Sequence, residues 1–186
     1  MNCDYERMLV DRFLRYVAVI TQSDGSAYHV PSTPGQLELA RMLAEDLKSR
    51  GLVQIHVAEP AIVPAVLPAT VQNVPRIGFV AHLDTVDVAL SPDAHPQILR
   101  FDGSDVCLNT EKNIWLRVAE HPELLPYRDQ DIIFTDGTSV LGADNKAAIA
   151  NIMSALEILS STKAPHGEIR VAFVPDEEVG LWGSKL

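Results

Sequence analysis

Apolar residues recur at helical spacing from the start of the chain. Met8, Leu9, Phe13, Tyr16 and Val17 fall on one side of a predicted amphipathic helix that ends before the polar run TQSDGS at 21–26. Asp4 stands where a capping carboxylate could accept the first free N–H groups of that helix. After the loop SAYHVPSTPG, residues 36–50 repeat the pattern, with Leu37, Ala40, Leu43, Ala44 and Leu47 on one face. Gly51 follows at the place where a left-handed residue would close the helix.

The period then changes. VQIHV at 53–57 alternates as a half-buried strand does, AVLPATV at 65–71 predicts a strand that Pro68 confines to an edge, and IGFVA at 77–81 is a continuous apolar run typical of a buried strand. Residues 86–131, rich in Pro, Asp and short apolar runs, predict an insertion of irregular structure with short strands. DIIF at 131–134 and the TDG turn at 135–137 are the clear signals there. A wide stripe of Ala148, Ile149, Ile152, Met153, Leu156 and Leu159 predicts a helix that starts at or next to Asp144 and ends at the breakers SSTKAPHG. IRVAFVP at 169–175 reads as another buried strand, and strands alternating with helices indicate an α/β sandwich.

Composition narrows the function classes. The 186 residues are 47% hydrophobic and 22% charged, which fits one globular domain or most of one. A formal charge of −10, with no Lys/Arg cluster, argues against binding to nucleic acid. Cys3 and Cys107 lie far apart in no metal-binding spacing, as reduced thiols in the cytoplasm would. The N-terminal stretch carries acids and bases inside its apolar pattern, so it lacks a signal-peptide core, and no run is long enough to cross a bilayer. A soluble cytoplasmic protein without a membrane partner is expected. The final Ser184-Lys185-Leu186 matches a peroxisomal address, which is set aside in favour of the cytoplasm.

The candidate chemistry lies where predicted strands stop. In HLDT, His82 and Asp84 are two residues apart, so on an extended strand end both side chains face one way. A neutral imidazole is a natural zinc ligand; Asp84 could fix its tautomer as a direct partner or lie farther back. Asp144, at a helix start, could be an ordinary N-terminal acid, or a carboxylate that bridges two metal ions roughly 3.5 to 4 Å apart. Glu177 and Glu178 follow an apolar strand directly, where their like charges repel unless cations or water absorb them. One could ligate a metal while the other moves a proton between the attacking water and the leaving amine. In open α/β sheets ligands collect beyond the carboxyl ends of strands, where these residues fall.

On the blocks VPSTPGQ (30–36), LPATV (67–71), AHLDT (81–85), TDGTSVLGADNKAAIA (135–150) and PHGEIRVAFVPDEEVG (165–180), the chain resembles the aminoacylase and carboxypeptidase-like family of co-catalytic zinc peptidases. Within that family it is similar to the peptidase T group of aminotripeptidases. The resemblance implies a three-layer α/β sandwich with a mixed central sheet flanked by helices, two zinc ions, a small peptide substrate and removal of the N-terminal residue of tripeptides. It also implies that His82 binds one zinc, Asp84 orients it, Asp144 bridges the metals, Glu177 is the base and Glu178 binds the second zinc.

Asn145 departs from the second Asp usual in the family. Family members are also much longer, and supply a further acidic ligand, a last His ligand and an inserted dimerisation and closure domain. On that likeness residues 1–186 would be the N-terminal part of the catalytic domain, with weak metal binding and little activity alone. A related dipeptidase, aminoacylase or carboxypeptidase, or a non-catalytic interaction module, are the alternatives.

Overall fold

The computed structural model describes residues 3–185 and divides the chain into two compact units, Met1–Asp87 with Gly142–Leu186, and Val88–Leu141. The last residue of the SKL tripeptide lies outside the described residues, as does the side chain of Cys3.

The first unit opens with α1 (Cys3–Val17) and α2 (Pro34–Lys48). Phe13, Tyr16 and Val17 of α1 are buried, as their spacing predicts. Asp4 does not precede the helix as a cap. The helix already begins at Cys3, so Asp4 is an acid of the first turn, where it meets the positive end of the helix dipole. On α2 the buried stripe is Gln36, Leu39, Ala40, Leu43, Ala44 and Leu47. Leu39 replaces the expected Leu37, because it lies one helical turn before Leu43 and brings the three leucines into line. The helix starts earlier than predicted, at Pro34, whose fixed φ suits a first turn, and Gly51 takes the left-handed conformation at φ +76°.

β1 (Val63–Leu67), β2 (Ile77–His82) and β7 (Ile169–Val174) form a mixed sheet in the order β1-β7-β2, with β1 antiparallel and β2 parallel to β7. β1 stops directly before Pro68, which has no N–H to give a ladder, and it occupies a sheet edge as that proline predicts. VQIHV is not a strand: Gln54 turns to φ +58° and breaks the extended run, leaving Val53 in an isolated bridge to Val66. IGFVA is a strand, but only Ala81 of it is buried. β2 lies at the other sheet edge, with Ile77, Phe79 and Val80 at 51%, 43% and 66% exposure. Beside it, Ile77, Phe79 and Ile169 line one wall of an apolar groove of about 450 Å³. Residues of α3 (Ala143–Thr162), among them Ile152, Ala155 and Leu159, line the other wall. The central strand β7 does bury Ile169, Val171, Phe173 and Val174. The mixed sheet with its helices is the α/β class expected.

α3 buries Ile149, Ala150, Met153 and Leu156, and it is tied to both other helices through Glu157. Arg12 of α1 donates to Glu157 and also to the Ser154 hydroxyl at 2.9 Å, while Arg50, just past α2, reaches Glu157 at 2.9 and 3.0 Å. No described helix is long and apolar enough to cross a membrane.

The second unit contains two antiparallel pairs, β3 (Gln97–Phe101) with β6 (Gln130–Phe134) and β4 (Val106–Asn109) with β5 (Ile114–Leu116), plus a short 3-10 helix, Pro122–Tyr127. DIIF lies in β6 as predicted, and the TDG turn is closed by Asp136, whose Oδ1 accepts the Thr138 N–H and hydroxyl at 2.9 and 2.6 Å.

Two outcomes are expected for this packing. Ile149→Ala should lower the unfolding free energy by about 2–5 kcal/mol, read from urea titration. Burial alone would raise the Glu157 pKa, but hydrogen bonds and charge from Arg12 and Arg50 outweigh it and hold the carboxyl below its usual 4.5. The stabilisation from a depressed carboxylate is present above the unfolded-state value and lost as pH falls through the folded one. Glu157→Gln should therefore cost most stability near pH 7 and progressively less in acid, the two unfolding curves converging below the folded-state pKa.

Candidate metal centre

His82 is the last residue of β2 and pairs in register with Val174, so the carboxyl ends of β2 and β7 lie side by side. The chain continues from β2 through Leu83, whose N–H meets the Val174 carbonyl at 2.8 Å, to Asp84. Both residues are enclosed, His82 at 6% and Asp84 at 0% exposure.

Asp84 lies behind the imidazole. His82 Nδ1 donates to the Asp84 main-chain carbonyl at 3.0 Å and stands 3.4 Å from Asp84 Oδ1. The Asp84 carboxylate spends both its oxygens on main chain, accepting Glu177 N–H at 2.9 Å and Glu178 N–H at 3.0 Å. Burial alone would raise its pKa, but His82 and these two N–H groups overcome that and depress it. The carboxylate stands beside Nδ1, while the hydrogen bond from that nitrogen goes to the Asp84 main-chain carbonyl.

The other imidazole nitrogen faces the front. Nε2 lies 2.9 Å from Asp144 Oδ1 and 3.9 Å from Glu177 Oε2. Burial pulls the ring's pKa down, yet Asp84, then Asp144 and Glu177, outweigh it and lift the value to about 9. With oxygens at both nitrogens the ring favours its doubly protonated form; a cation at Nε2 would take the place of that proton.

Asp144 reaches this point through a local break. Gly142, at φ +72°, precedes the helix and admits no Cβ, which would meet Thr85 Cγ2 at 2.7 Å. Asp144 and Asn145 have non-helical dihedrals with a cis peptide between them, so the regular helix starts at Lys146. Asn145 donates to Asp144 Oδ1 at 3.1 Å, and its own Oδ1 is buried with no hydrogen-bond partner among the described residues. Lys146 is buried, donates to the Val19 carbonyl at 2.7 Å, and has its pKa lowered by burial to about 8.

After β7, the loop that carries the glutamates folds back on itself. The Pro175 carbonyl accepts Gly183 N–H at 3.1 Å, Asp176 O accepts Trp182 N–H at 2.9 Å, and Glu177 O accepts Leu181 N–H at 2.9 Å. Gly183 is required there, since a Cβ would lie 2.1 Å from the Pro175 carbonyl oxygen. Glu178 has its pKa raised, first by burial and, against the pull of His82, by the charges of Glu177, Asp144 and Asp84.

One donor atom each from His82, Asp144 and Glu178 lie within 4.8 Å of one another, a grouping that could hold a metal ion. An imidazole with two carboxylates is a donor set that zinc accepts, and a cation would relieve the repulsion between neighbouring carboxylates. The residues present fit the metal. Sequence reasoning missed Ser32, Gln36 and the inward role of Asp176. A signal for Gln36 existed, because it falls in phase with Ala40, Leu43 and Leu47 on an otherwise apolar stripe.

Aminopeptidase PepT from Bacillus cereus ATCC 10987 superposes with a TM-score of 0.65 over 97% of this chain and 39% of that one, at 23% identity. The two proteins share an α/β fold, and in this chain the candidate metal group gathers where β2 and β7 end and α3 begins. By sequence, a peptidase T-like protein of Yersinia pestis is 56% identical over 185 residues, 100% of this chain and 45% of that protein. Peptidase T of Geobacillus thermodenitrificans is 49% identical over 92% of this chain and 43% of its own length. The chain is similar along nearly its whole length to proteins of the peptidase T family, and spans less than half the length of the curated relatives it matches. No family model matches it.

Asp84→Asn would turn an amide NH₂ toward one of the two main-chain N–H groups. Leaving that buried donor unpaired should cost about 1–3 kcal/mol of stability. Amide exchange at Glu177 or Glu178 should quicken with it. Unchanged exchange at both amides would mean that Asp84 does not hold the loop.

Proposed function

We propose that this chain supplies part of the catalytic centre of a metal-dependent aminopeptidase that removes the N-terminal residue from tripeptides. The observation that carries the reading is the convergence of His82, Asp144 and Glu178 donor atoms within 4.8 Å, backed by a buried Asp84. His82 and Glu178 would each hold one of two zinc ions, and Asp144, with two oxygens, would bridge them. When bound, the metal supplies Lewis acidity toward the scissile carbonyl and makes water a nucleophile at neutral pH.

The remaining steps belong to side chains. Asp84 keeps the proton of His82 on Nδ1 and so leaves Nε2 free for the ion. Glu177, its side chain 40% exposed and 3.9 Å from His82 Nε2, is the general base: it takes a proton from the attacking water and returns it to the departing amine. Asn145 steadies one oxygen of Asp144 through its 3.1 Å hydrogen bond. Residues 1–186 would form the N-terminal part of the catalytic domain, and three protein donors cannot saturate two ions that each want about four ligands. The whole protein would be a cytoplasmic homodimer acting on small peptides.

Calorimetric zinc titration of the chain tests the site. Asp144→Ala and Glu178→Ala are expected to weaken binding, Glu177→Ala to leave it nearly unchanged. In a protein of the relatives' full length, Glu177→Ala should lower kcat for release of a tripeptide's first residue by about 10²–10⁴-fold. Zinc binding that ignores both ligand substitutions would overturn the reading, and preference for dipeptides or acylated amino acids would replace the substrate class.

A further inference from the structure

Beyond the ligand group lies an enclosed polar cluster to which the chemistry assigns no part. Asp176 and Gln36 are 0% exposed and Ser32 is 6% exposed. β7 ends at Val174, Pro175 has no N–H, and Asp176 then turns into the left-handed region at φ +54°. That conformation is unfavourable for a residue with a side chain, so it persists only where neighbours fix it.

The neighbours come from the VPSTPGQ segment. The Asp176 carboxylate accepts Ser32 N–H on Oδ2 at 2.7 Å, and on Oδ1 the Ser32 hydroxyl at 2.5 Å and Gln36 Nε2–H at 2.7 Å. Gln36 Oε1 in turn accepts the main-chain N–H of Asp176 at 3.0 Å. One glutamine amide thus grips both the side chain and the backbone of the residue that makes the turn. Gln36 is itself fixed, since it belongs to the first turn of α2 and also reaches the Ser32 and Thr33 hydroxyls at 3.2 Å. The next two residues are Glu177 and Glu178, whose N–H groups meet Asp84 because the chain has turned at 176.

We propose that Asp176, Ser32 and Gln36 are positioning residues, through which the first turn of α2 fixes the backbone turn that aims Glu177 and Glu178 at the metal centre. The roles of the two glutamates rest on the reading above; the turn and its grip do not.

The test is an exchange of donor and acceptor in the full chain. Gln36→Glu puts a second carboxylate against Asp176 and removes the donor; it should speed amide exchange at Asp176, Glu177 and Glu178, read by NMR, and weaken zinc binding about 10–100-fold. Adding Asp176→Asn to Gln36→Glu restores a donor facing an acceptor, and should recover most of the exchange protection and the zinc affinity. Should Gln36→Glu fail to fold alone, folding of the double variant supports the pairing, and Ser32→Ala is read in the same two ways. Exchange and affinity untouched by Gln36→Glu, or a double variant no better than the worse single one, would overturn the inference. Zinc affinity is read in a protein of the relatives' full length: if that protein takes up no zinc, the functional reading fails while amide exchange still decides the positioning.

Discussion

Everything in the candidate centre depends on one buried carboxylate. Asp84 is completely enclosed, and desolvating an anion is expensive unless every lone pair finds a donor. Two of those donors are successive main-chain N–H groups from the loop after β7, and a third group, the His82 ring, stands 3.4 Å away. Since the cost of burial is offset only when all three are in place, Asp84 couples the end of one strand to the loop that follows its parallel neighbour. The imidazole and the two glutamates are thereby placed by the same group.

In front of that anchor the electrostatics reverse. Asp84 is satisfied by donors, whereas Asp144, Glu177 and Glu178 face one another and His82. Burial first, and then the charges of Glu177, Asp144 and Asp84, raise the pKa of Glu178, while Asp84, followed by Asp144 and Glu177, raises that of His82 against the pull of burial. The pattern is one of a preassembled anionic group: packing energy elsewhere in the unit, from Ile149, Met153, Leu156 and the strand core, holds together charges that would separate in a looser chain.

Much of this was legible in the sequence, and the reasons differ by element. The helices and β7 could be read because their apolar spacing records a neighbour on a known face. His82, Asp84, Asp144, Glu177 and Glu178 each have an ordinary structural reading alone; the sequence marked them as a set, by their order along the chain and by resemblance, and the structure brings them together. VQIHV misled, since alternation reports amphipathicity but not the left-handed Gln54 that breaks it. IGFVA misled in another way: a continuous apolar run predicts cover on both faces, yet the run cannot say which partner provides it, and β2 has β7 on one side only. The break at Asp144 and Asn145 lay hidden inside a sequence whose periodicity is helical throughout.

Gln36 shows what kind of information such patterns withhold. A lone glutamine in an apolar stripe usually signals a helix edge, and the stripe by itself gives no hint that its amide will meet a residue 140 positions later. The two ends of that contact are separately unremarkable. Asp176 is one acid among three, and Gln36 is a helical residue with no charge. What joins them is the requirement that a left-handed, buried aspartate have donors for its carboxylate and an acceptor for its N–H, and a primary amide is the side chain that provides one of each. The same requirement explains why a glutamate of nearly equal shape could not serve at position 36 while residue 176 remains an aspartate: it would keep the acceptor, lose the donor, and set two anions against each other in a place closed to water.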